Sequence, residues 1–283
     1  MTGPLVSTEW LRRHLGDSFL RLADVRWYLG EPDRGRQAYQ QAHIPGAVYV
    51  DLETDLSAEV GPGRHPLPEW DAFATRMGEL GIGDDSVVVA YDDRGGGVAA
   101  RLWWMLRAVG HRRTQVLDGG LAAWIADGYA VTSEVLDCEP DNLTVDLRSG
   151  ISLDRDELRD RLDSVLVLDA RAGERYRGEV EPVDPIAGHI PGAVSAPHED
   201  NLGPDGRFLP VAALTARYRD LGVDGQIETV VYCGSGVTAC HNLLAMEHAG
   251  LGGGLLYPGS WSDWSTAGFE VATGAEPRNP MTP

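Results

Sequence analysis

Ala42-His43-Ile44-Pro45-Gly46-Ala47-Val48 recurs 146 positions later as Gly188-His189-Ile190-Pro191-Gly192-Ala193-Val194. Further on, Leu80-Gly81-Ile82 matches Leu221-Gly222-Val223, and Val88-Val89-Ala90-Tyr91 matches Thr229-Val230-Val231-Tyr232. Residues 117–124 match 257–264, where the offset has fallen to 140, so the first half carries small insertions. A repeat of this length marks a duplicated domain rather than a solenoid, whose periods run about 20–50 residues. Each half alternates short apolar runs with helical patterns. Residues 20–25 and 86–91 read as strands, and 97–109 and 121–127 as helices. In the second half 165–170 and Thr229–Tyr232 read as strands, and 237–249 as a helix. Such alternation predicts an α/β fold with parallel sheets covered by helices on both faces. The expected divisions are a first domain over 1–134, a linker over 135–150 and a second domain over 151–274. A polar tail over 275–283 is expected to have little order.

The 283 residues are 43% hydrophobic, enough for two proper cores. A formal net charge of −19 argues against nucleic acid or an anionic membrane as partner. An anionic substrate would need local positive groups. Residues 1–11 lack the apolar core of a signal peptide, and no apolar run approaches the ~20 residues of a membrane span. Three cysteines, Cys138, Cys233 and Cys240, make no disulfide framework. A reducing cytoplasm is therefore expected.

Chemistry concentrates in Glu228-Thr229-Val230-Val231-Tyr232-Cys233-Gly234-Ser235-Gly236-Val237-Thr238-Ala239-Cys240. A β-branched run ends at a cysteine, a turn with two glycines follows, and a helix begins. Backbone N–H groups at a helix N-terminus point at a bound anion, and the helix dipole favours it. That setting favours a nucleophilic thiolate. The competing reading of Cys233 is a small apolar residue closing a buried strand, but the glycines let backbone amides close in on an anion. In the first half Asp92-Asp93-Arg94-Gly95-Gly96-Gly97-Val98 stands in the same place, read as two residues longer, with Asp92 where Cys233 stands.

The loop Cys233-Gly234-Ser235-Gly236-Val237-Thr238-Ala239, with the two His-Ile-Pro-Gly-Ala segments, resembles the rhodanese-like sulfurtransferases over nearly the whole chain. Its loop is of the form typical of 3-mercaptopyruvate sulfurtransferases. Thiosulfate sulfurtransferases usually carry basic residues where this chain has Gly234 and Ser235. The resemblance implies two tandem rhodanese-like domains, the second catalytic. The first, with a carboxylate in place of the thiol, would close one wall of a cleft. It implies that Cys233 takes a sulfane sulfur as a persulfide and passes it to a thiol or cyanide. A thioredoxin-type reductant is one such acceptor. Gly234, Gly236, Val237 and Thr238 would cradle the substrate. No metal or organic cofactor is implied, and the cysteines and histidines lack zinc spacing.

Further residues follow from the same resemblance. His65, in the Gly- and Pro-rich stretch 61–68, would pair with Ser235 and an acid to move a proton. The acid position falls on Glu53, with Asp51 as fallback. Arg175 would grip the anionic end of the substrate; read without the resemblance it is a surface arginine pairing with Glu174 or Glu179. Asp169 would orient backbone or Arg175. The family's second arginine falls on Val183, which leaves the clamp incomplete. His43 and His189 read as structural, punctuating a turn into a strand. Mercaptopyruvate fits the uncharged loop better than the dianion thiosulfate, and its cleavage needs a proton that Ser235 and His65 can deliver. Three other readings stand beside this one. Thiosulfate sulfurtransferase is the first. A phosphatase or arsenate reductase would need an arginine where Ala239 stands. A sulfur carrier or redox sensor would use Cys240 to resolve oxidised Cys233.

Overall fold

The computed structural model describes residues 3–275. Of the tail, all but Ala275 lies outside the described residues. The first unit runs β1 (Leu5–Val6), α1 (Thr8–His14), β2 (Leu20–Asp24), α2 (Arg34–Gln41), β3 (Ala47–Tyr49), α3 (Trp70–Glu79), β4 (Val87–Tyr91), α4 (Ala99–Ala108), β5 (Thr114–Leu117) and α5 (Gly120–Ala126). Its strands form one parallel sheet in the order β1-β5-β4-β2-β3. The second unit runs α6 (Arg155–Arg161), β6 (Leu166–Asp169), α7 (Gly173–Tyr176), β7 (Val194–Ser195), α8 (Val211–Asp220), β8 (Thr229–Tyr232), α9 (Ala239–His248), β9 (Leu255–Leu256) and α10 (Ser260–Trp264). Its parallel order is β7-β6-β8-β9, and a parallel bridge from Ser152 to Leu256 takes the place of β1.

The central strands explain why these sequences fold so. Every residue of β4 and of β8 is buried, as a strand covered on both faces requires. α4 and α9 rise directly from the loops after those strands and are buried almost throughout. The strands and helices read from periodicity lie within two residues of their expected bounds. β1, β7 and β9 escape that reading because two residues show no period.

The chain divides differently from the expected boundaries in two respects. One unit takes the chain up to Glu59 with Leu67–Arg148 and Leu202–Phe208, the other Val60–Pro66, Ser149–Asn201 and the chain from Leu209 on. First, most of the expected linker belongs to the first unit: Asp141 N donates to Gly78 O (2.9 Å) and Asp146 N to Val109 O (3.0 Å). Second, one loop of each half groups with the other half's sheet. These two loops, Val60–Pro66 and Leu202–Phe208, correspond under the repeat.

His43 and His189 are packing residues. Each stacks on a tyrosine, Tyr39 at 4.1 Å and Tyr176 at 3.8 Å between ring centroids. Each turns Nδ1 to that tyrosine's carbonyl at 2.7 Å. The partners are four residues apart in the first unit and thirteen in the second. The additional nine residues of the second unit carry Glu181 and Asp184.

Candidate active site

Cys233 follows the last residue of β8 and is 2% exposed. Two backbone bonds tie its loop to the start of α10: Trp261 N donates to Cys233 O (2.9 Å) and Ser262 N to Gly234 O (3.0 Å). Gly236 turns the loop at φ +77°, and a Cβ there would stand 2.4 Å from the carbonyl oxygen of Pro258. Only glycine fits. The turn brings Gly236 N within 3.2 Å of Cys233 Sγ, to which it donates. Thr238 sits immediately before α9, and Val237 is buried beside it. Cys240 is buried and its Sγ donates to Gly236 O at 3.4 Å, so it braces the turn.

Sequence reading missed Ser260. Its hydroxyl accepts from Cys233 N at 3.1 Å and donates to Tyr257 O at 2.9 Å. Among the described residues it alone combines a side chain with positive φ, +55°. Its counterpart Gly120 has φ +57°. A serine where the first unit has glycine holds a strained backbone to place one oxygen. The contrast between Gly119-Gly120 and Gly259-Ser260 was the available signal.

The first unit's loop shows what this architecture binds. Asp92 accepts from Arg94 N (2.8 Å), Gly96 N (2.9 Å), Val98 N (2.7 Å) and Ala99 N (2.9 Å). Its carboxylate fills an anion cradle of four backbone amides. The expected two-residue difference in loop length is a difference of one. Val98 and Thr238 are the equivalent positions, directly before α4 and α9.

His65 and Ser235 meet: His65 Nδ1 lies 2.7 Å from Ser235 Oγ, and both are buried. His65 belongs to Val60–Pro66, in the same unit as Cys233. Glu53 lies in the other unit, where its Oε1 accepts from Trp27 Nε1 at 2.9 Å and its N donates to Asp51 Oδ1 at 2.9 Å. Burial pushes the Asp51 carboxyl up from its ordinary range.

Arg175 pairs with neither Glu174 nor Glu179. Its Nη2 and Nε bond Glu181 at 2.6 and 3.2 Å, and Nη2 lies 3.3 Å from Asp184 Oδ2. Arg177 takes Glu179 instead. Of its two expected roles Asp169 takes the backbone one, accepting from Arg171 N at 3.0 Å, rather than orienting Arg175. It holds Arg171 at 2.6 Å and accepts from Tyr232 OH at 2.6 Å, an arrangement that Asp24 and Arg26 repeat in the first unit. Arg171 reaches Glu181 at 3.3 Å, so Glu181 joins the two arginines. Val183 contributes its backbone N–H to Glu181 Oε1 (3.1 Å). Burial works against the Glu181 charge, but bonds from Arg175 and from two backbone N–H groups outweigh it and hold the carboxyl below the usual glutamate value. Burial, with Glu181 alongside, pushes Asp184 up despite Arg64 and Arg175. Arg64, next to His65, also bonds Asp184. Among the described residues no group of three or more His, Cys, Asp or Glu gathers as a metal site.

A thiol on an amide-lined turn, repeated in degenerate form on a second parallel sheet, defines a class. The Rhodanese-like domain model matches residues 7–127 and 154–267, and the chain belongs to that family as a tandem-domain sulfurtransferase. It is 45% identical over 287 residues to the "Probable 3-mercaptopyruvate sulfurtransferase" of Pseudomonas aeruginosa, covering 98% of this chain and 97% of that one. It is 37% identical over 272 residues to the thiosulfate sulfurtransferase of Mus musculus, covering 92% and 91%. The crystal structure of SseA from Escherichia coli, a 3-mercaptopyruvate enzyme, superposes with TM-score 0.83 at 32% identity, over 92% of this chain and all of that one. These relatives divide between two sulfur donors.

Proposed function

We propose that this enzyme takes sulfur from 3-mercaptopyruvate. The observation that carries the choice of donor is the 2.7 Å contact of Ser235 with His65 beside Cys233, on a loop without a charged side chain. The Cys233 thiolate attacks the substrate sulfur. The new S–S bond leaves a persulfide on Cys233, and the C–S electron pair departs as the enolate of pyruvate. The enolate takes one proton, delivered through Ser235 and His65. The amide of Gly236 and its neighbours in the loop hold negative charge at the sulfur. Arg175 binds the carboxylate. A thiol then removes the outer sulfur as its own persulfide and restores the cysteine. A thioredoxin-type dithiol would release it as hydrogen sulfide and keep the disulfide. Three thiols outside any disulfide suit a reducing cytoplasm.

Steady-state kinetics with 3-mercaptopyruvate and thiosulfate side by side test the donor. The expected result is a higher kcat/KM with mercaptopyruvate; a higher value with thiosulfate overturns that choice. Cys233→Ser should abolish transfer, and the donor-treated protein should gain the mass of one sulfur on Cys233. Retained turnover in Cys233→Ser would remove the persulfide route.

A further inference from the structure

We propose that Arg64 is the second arginine of the substrate clamp, supplied from a different part of the chain from the one where Val183 leaves it vacant, and that Asp184 positions it. This rests on the carboxylate-bearing donor proposed above. Arg64 lies on Val60–Pro66, within the unit that carries Cys233. The loop is pinned twice just ahead of the Arg64 Cα. Arg64 N donates to Ser262 Oγ at 3.0 Å, and Gly63 turns at φ +80° with its missing Cβ only 2.4 Å from Gly259 O. From that anchor Arg64 Nη1 bonds Asp184 Oδ1, while the other oxygen of Asp184 lies 3.3 Å from Arg175 Nη2. One buried carboxylate thus joins two guanidinium groups that would otherwise repel.

Both guanidinium groups then meet at the residue after the nucleophile. A Cβ on Gly234 would lie 2.9 Å from Arg64 Nη2, 3.6 Å from Arg175 Nη1 and 3.8 Å from Arg175 Nη2. The acids are buried, with side chains 4% exposed for Asp184 and 3% for Glu181. The arginine side chains keep 28% and 19% exposed. The cluster therefore turns its cationic edges outward and its anionic groups inward. Arg64 Nε is buried without a hydrogen-bond partner among the described residues, so the pair with Asp184 leaves this guanidinium under-used. Two forked donors converging beside a nucleophile fit the two oxygens of a carboxylate.

The test is the full chain with Arg64→Ala, Arg64→Lys and, as reference, His65→Ala. With mercaptopyruvate, Arg64→Ala should raise KM about 10–100-fold, the loss expected for a charge-assisted contact, with kcat within about threefold. Inhibition by pyruvate should weaken in parallel. Arg64→Lys should recover only part, because an ammonium cannot grip both oxygens. His65→Ala should lower kcat instead. An unchanged KM in Arg64→Ala, or a fall in kcat alone matching His65→Ala, overturns the proposal by making Arg64 a mere brace for its loop. If the wild type prefers thiosulfate, the donor reading fails separately. The clamp is then judged on thiosulfate KM, which must rise in Arg64→Ala for it to stand.

Discussion

Two glycines of one loop should give two different kinetic signatures. A Cβ on Gly236 would strike the Pro258 carbonyl at 2.4 Å, and the φ of +77° disfavours any side chain. Gly236→Ala should therefore displace the Cys233 turn and cut kcat by at least about a hundredfold, the scale of losing one preorganised donor. A Cβ on Gly234 would meet the flexible ends of two side chains, Arg64 at 2.9 Å and Arg175 at 3.6 Å. Gly234→Ala should raise KM and spare most of kcat; equal losses of kcat in the two variants would refute the distinction. Ser260 allows a third test. Glycine there removes backbone strain of about 1–3 kcal/mol and also removes the oxygen that accepts from Cys233 N. Ser260→Gly should melt no lower than the wild type by calorimetry yet transfer sulfur about tenfold more slowly, as for a lost hydrogen bond of about 1.4 kcal/mol. Full activity would make Ser260 incidental.

The strand–loop–helix element occurs twice with opposite outcomes. In the second unit the turn of seven residues from Cys233 to Ala239 presents a thiol; in the first, eight from Asp92 to Ala99 surround a carboxylate. The first loop is therefore a structural element with its own internal anion. Asp92→Ala should leave four backbone donors without that acceptor and lower stability by about 2–4 kcal/mol, measured by urea unfolding. A loss below about 0.5 kcal/mol would mean that water replaces the carboxylate without penalty. The aromatic–histidine pair is local in the first unit, where four residues separate Tyr39 from His43. In the second unit thirteen residues separate Tyr176 from His189, and only the fold closes that gap.

Across the whole molecule, acid should weaken both units through buried histidines. Burial holds His111 in the first unit and His189 in the second below the ordinary histidine value. A depressed folded pKa means that the unfolded chain binds the proton first. Stability from these groups is complete above about pH 6.5 and declines as the pH falls from there. The melting temperature should fall between pH 7.5 and 5.5, and His111→Gln should flatten that slope; an equal slope in the variant would remove His111 as a cause. The sequence by itself determined the duplication, the parallel α/β class, the thiol at a strand tip and the missing thiol in the first half. All of these are written in local order: periodicity, glycine turns and a repeat read along one chain. Only the tertiary structure decided which acids hold Arg175, that Ser260 supports Cys233, and that Arg64 and His65 join the second unit. Arg64 lies 120 positions from Asp184 and His65 lies 170 from Ser235. Pairing at such separations depends on where the folded chain returns, and no short-range pattern encodes that.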